Sequence, residues 1–141
     1  MKDTELLHFV HKTAEMGIEG LKDVEGRIQG GELRDAVGRQ VAEYRKISNA
    51  AGDLLRSKGE DPKDPGLMAR VSSEFMSVMQ TAVDSSDSKI AEMVIQGNNM
   101  GITKGLKHLH DHEGDDSKVR GLAEKLLKTE QDNVEQMKPF L

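Results

Sequence analysis

The chain reads as an all-α protein: an up-down four-helix bundle with an additional short helix, built as a single domain over residues 1–141. Three observations predict this. Apolar residues recur at the helical period almost throughout, and no stretch alternates with period two as a half-buried strand would. Charged residues make up 32% and aromatics only 3%, with no tryptophan, so Leu, Ile, Val, Ala and Met must fill the core, as in helical bundles. Turn-forming residues gather in a few places and leave long uninterrupted segments between them. With 141 residues, the chain is long enough to bury such a core without covalent staples.

The elements follow in order. A first helix is expected over 4–28, capped by Thr4, with Leu6, Val10, Ala14, Gly17, Leu21, Val24 and Ile28 on one face. Gly30 and Gly31 stop it. A second helix, 32–56, faces inward with Leu33, Val37, Tyr44, Ile47, Ala51, Leu54 and Leu55. The stretch "KGEDPKDPG" (58–66) is the clearest loop. A shorter third helix, 67–83, carries Met68, Val71, Phe75, Val78, Met79 and Ala82. "DSSD" (84–87) offers N-caps for a fourth helix, 88–110, and a break there is expected, because a helix running on through it would be roughly 70 Å long. The fifth starts at Ser117, after "HEGDD", and ends at Pro139. Short loops make sequential helices antiparallel neighbours.

Several functions are disfavoured. The absence of cysteine removes disulfides, thiolate metal sites and cysteine catalysis. A net charge of −5 argues against a nucleic-acid partner, which needs a clustered basic face. The start "MKDTELL" does not resemble a signal peptide, and no segment has the length of a membrane span, so a cytoplasmic protein without a membrane partner is the expectation. There is no glycine-rich phosphate loop, Ser-His-Asp set or nucleotide fingerprint.

The fourth helix is unusual. Gly97, Gly101 and Gly105 recur every four residues along one strip, extended by Ile90 and Val94 and flanked by Ala91, Ile95, Met100, Ile102, Leu106 and Leu109. Each glycine costs about 1 kcal/mol relative to alanine in a helix interior, so close approach of another helix backbone is expected to compensate. The apolar arc is also wider than one bundle position needs. Met68, Val71, Phe75 and Met79 would cover part of it, and a second copy the rest. The expectation is a homodimer with Met93 and Met100 at the contact, any other protein partner being unspecified.

A second anomaly is polar. Turning the last helix by 100° per residue sets Glu130 in the centre of its apolar stripe, between Leu126 and Met137, with Asn133 beside it. Asn98 lies in the apolar arc of the fourth helix, Gln40 between Val37 and Tyr44, and Thr13 at the border of the first helix's inward face. Buried polar groups must be hydrogen-bonded, so Gln40, Asn98, Glu130 and Asn133 are expected to share one network.

Long helices, an extended loop after the second, and "EQDN" projecting inward from the last resemble the ferritin-like superfamily. More narrowly, "SKIAEMVIQGNNMGITKGL" and "LAEKLLKTEQDNVEQMKPFL" are similar to small ferritin-like helical-bundle proteins of Gram-positive bacteria. The resemblance implies a bundle in which two helices each give a glutamate and two others a Glu-x-x-His pair to a di-metal centre. Carried over residue by residue, it mostly fails. Glu130-x-x-Asn133 has asparagine for histidine, Glu43-x-x-Lys46 lacks histidine, and the inward residue there is Gln40. Glu15, Glu19 and Glu92 point outward, leaving Thr13, Gly17 and Asn98 inward. One inward carboxylate cannot neutralise two iron ions.

The expectation is therefore a non-catalytic bundle without a complete di-metal site or cofactor, acting as a self-associating structural or protein-binding module. The alternative is a single iron or manganese ion at an atypical site around Glu130. A third reading places a metal between His108 and His112, spaced i, i+4, with Asp111 or Glu113; the plainer one is a solvated helix end, where histidine suits the dipole. His8 and His11 read as surface histidines.

Overall fold

The computed structural model describes residues 1–28, 30–63 and 86–141. Among these residues the chain forms α1 (Asp3–Glu25), α2 (Glu32–Ser57), α3 (Asp87–Asp111) and α4 (Ser117–Met137), closed by a 3-10 turn, Lys138–Phe140. None of these helices is long and apolar enough to cross a membrane. The expected short helix at 67–83, with Met68, Val71, Phe75 and Met79, lies outside the described residues.

The helix ends follow local chemistry, with one correction. Thr4 does not cap α1; the helix already includes Asp3, and extended Lys2 precedes it without a side-chain bond. Just before the helix, the Glu113 N–H donates to the Met1 carbonyl at 2.9 Å and ties the chain's start to the segment after α3. Between α1 and α2 the chain reverses through Gly30 (φ 117°) and Gly31 (φ 85°), a backbone that L side chains rarely adopt. Ser86 is extended and its Oγ accepts from the Lys89 N–H, so no helix runs unbroken through this point into α3. Asp116 caps α4, accepting from the N–H groups of Lys118 and Val119.

Contacts at the ends fix the directions. Lys58, just past α2, bonds to Asp116 at the start of α4 at 2.9 Å. His8 near the start of α1 lies 3.6 Å from Glu60, and Met1 meets Glu113, just past α3. The starts of α1 and α4 and the ends of α2 and α3 therefore share one end of the bundle. Two antiparallel pairs, α1 with α2 and α3 with α4, pack most closely. By contrast α2 and α3 are parallel, so the chain leaves α2 at one end and enters α3 at the other, nearly 40 Å away by the length of a 25-residue helix.

The interior holds the expected residues: Leu6, Val10, Leu33, Val37, Ile47, Leu55, Ile90, Val119, Leu126 and Met137 are all buried. Each such side chain contributes about 1.5–3 kcal/mol by leaving water, before the entropy of ordering the chain is subtracted. His11 is a correction. It is buried rather than on the surface, because the second half of α2 and the turn at Pro62–Lys63 cover that side of α1. Burial pushes its pKa down, with Glu15 opposing.

Candidate functional site

Glu130 sits where the periodicity of α4 places it, 2% exposed at the centre of the bundle. α2 brings Tyr44 to it and α3 brings Asn98, while Asn133 follows one turn along α4. The Tyr44 O–H donates to Asn98 Oδ1 at 2.8 Å, and its oxygen lies 3.4 Å from Glu130 Oε2. Asn133 Nδ2 donates to the same Asn98 oxygen at 3.1 Å. Asn98 Nδ2 donates to the Val94 carbonyl one turn back, at 2.8 Å.

The protonation state follows from the surroundings. No ion pair joins Glu130 to a basic group among the described residues, so burial dominates and pushes its carboxyl up to about 8, with the Tyr44 hydroxyl pulling slightly the other way. Tyr44 is pushed well above its ordinary value, first by burial and then by Glu130. Near neutral pH both groups are uncharged. A phenol has one proton, and the short bond commits it to Asn98. At 3.4 Å the same hydroxyl makes only a weak second contact with Glu130 Oε2. Tyr44 and Asn133 thus both donate to the Asn98 oxygen, and Tyr44 links that pair to Glu130.

Two glycines make room for this cluster. A Cβ on Gly101 would collide with the Glu130 carboxylate oxygen, and one on Gly17 would stand 2.7 Å from the Tyr44 ring. The compensation for glycine at 101 is thus a side chain brought close, where the sequence pattern suggested a helix backbone. A Cβ on Gly105 would stand 4.0 Å from the Phe9 ring, and Gly97 lines a groove between α1 and α3.

That groove has a volume of about 620 Å³, with Tyr44, Asn98 and Glu130 along its floor. Leu21, Val24, Met93 and Val94 line its upper half; Phe9, Lys104, Lys107 and His108 line the half nearer the start of α1. Of the two methionines expected at a subunit contact, Met93 is buried in its own chain, whereas Met100 is part-exposed in the groove wall.

The remaining candidates separate. Gln40 is 1% exposed, but its amide donates to Gln136 Oε1 at 3.0 Å, leaving its own oxygen without a partner. Tyr44 holds the place in the network expected for Gln40. The signal was available: a buried tyrosine hydroxyl needs a partner, and Tyr44 is the chain's one tyrosine, a turn beyond Gln40.

His108 and His112 do not converge. His112 lies past the last residue of α3, so helical spacing no longer applies. Its Nε2 meets Asp3 at 2.6 Å and its Nδ1 accepts from Arg120 at 3.3 Å. His108 packs edge-on against Phe9, with ring centroids 4.1 Å apart. No group of three or more His, Cys, Asp or Glu residues comes together as a metal site among the described residues.

Fold and site together define a helical bundle with an uncharged polar centre that opens onto an apolar groove. Comparison of the chain with protein-family models, curated protein sequences and solved structures finds no match.

Proposed function

We propose that this protein is a non-catalytic, ferritin-like binding module in which a hydrogen-bonded carboxyl–carboxamide cluster stands where relatives would hold metals. The single observation that carries this reading is the Glu130–Tyr44–Asn98–Asn133 cluster. Its one carboxyl contacts the neutral Tyr44 hydroxyl, and no group of three or more His, Cys, Asp or Glu residues gathers as a metal site among the described residues. The parallel directions of α2 and α3 agree with the single long crossover of ferritin-like bundles. The groove above the cluster is the binding surface.

Metal analysis of protein purified without a histidine tag tests the reading. The expected result is less than stoichiometric iron and manganese, unchanged in Glu130→Gln. A stoichiometric metal that this variant loses would support the alternative, an atypical ion site at Glu130.

Self-association is a second reading, favoured by the exposed apolar residue on α3, Leu106, at 44% exposure. In this reading two copies meet across the outer face of α3. Light scattering at micromolar concentration should give twice the 15.6 kDa chain mass, falling to the monomer in Leu106→Glu. A monomer mass for the wild type excludes it.

A further inference from the structure

We draw no further inference here: the strongest candidate, the groove between α1 and α3 above Glu130, carries side chains of both charges along apolar walls, and nothing among the described residues shows what covers it.

Discussion

Two carboxyls on α4, Glu130 in its middle and Asp116 at its cap, sit in opposite environments and respond to pH in opposite directions. Asp116 is at the solvent-facing end of the bundle, where the Lys58 ammonium and two backbone N–H groups hold its pKa below the usual value. Glu130 has neutral company, and burial pushes it up to about 8. The same functional group is an ion in one place and an acid in the other, and position along one helix decides which. For Asp116 the folded pKa is depressed, so its stabilisation is present above the unfolded value of 3.8 and is lost as pH falls. For Glu130 the folded pKa is raised, so its stabilisation is complete below the unfolded value of 4.5 and is lost as pH climbs toward about 8.

The largest way to break the contrast is Gly101→Leu. The new side chain occupies the place of the Glu130 carboxyl and must expel it or spread the helices. Overpacking together with a disrupted buried cluster should cost about 3 kcal/mol or more, read as a lowered midpoint in urea. Next is Tyr44→Phe. It removes the donor to Asn98 and the neighbour of Glu130 without changing the ring volume, and should cost about 1–3 kcal/mol because buried polar groups lose partners.

Glu130→Gln sharpens the comparison. Near pH 4, where the carboxyl is protonated folded and unfolded alike, an amide replaces a neutral acid of the same shape, so the change should stay within about 1 kcal/mol; at pH 7 the variant should be the more stable, because only the unfolded wild type is ionised. Between pH 5 and 8 the wild type should lose stability relative to the variant by up to about 1.4 kcal/mol per pH unit. A variant parallel to the wild type across that range would mean that Glu130 is already ionised. The smallest effect is expected from Lys58→Met, which removes the partner of Asp116 at the exposed end. Its loss should be smaller than the other three, and should fade in 1 M salt, where screening shortens to about 3 Å.

The legibility of the molecule follows the same division between middle and ends. The stripe through Leu126, Glu130 and Met137 was readable because a 100° turn per residue converts spacing into direction, and burial followed. The glycine run at 97, 101 and 105 marked α3 as special, yet the pattern could not say whether a backbone or a side chain would fill the space at Gly101. Gln40 and Tyr44 lie one turn apart on the same face of α2, and only the three-dimensional level of each helix shows which one meets Glu130. At the ends the helical rule stops: His112 lies past α3, so its spacing from His108 carried no geometry. Thr4 holds no capping position because α1 already starts at Asp3, a shift of one or two residues that spacing does not resolve. Burial of His11 likewise depends on where the turn after α2 comes to lie.

The account turns on Glu130 being an acid at neutral pH, and a carboxyl carbon NMR titration of the wild-type protein reads that state directly. With Glu130→Gln used to assign the resonance, its chemical shift should stay at the protonated position through pH 6 and move with a midpoint near 8. A midpoint below 5 would show an ionised carboxylate in the core, and would contradict the neutral cluster.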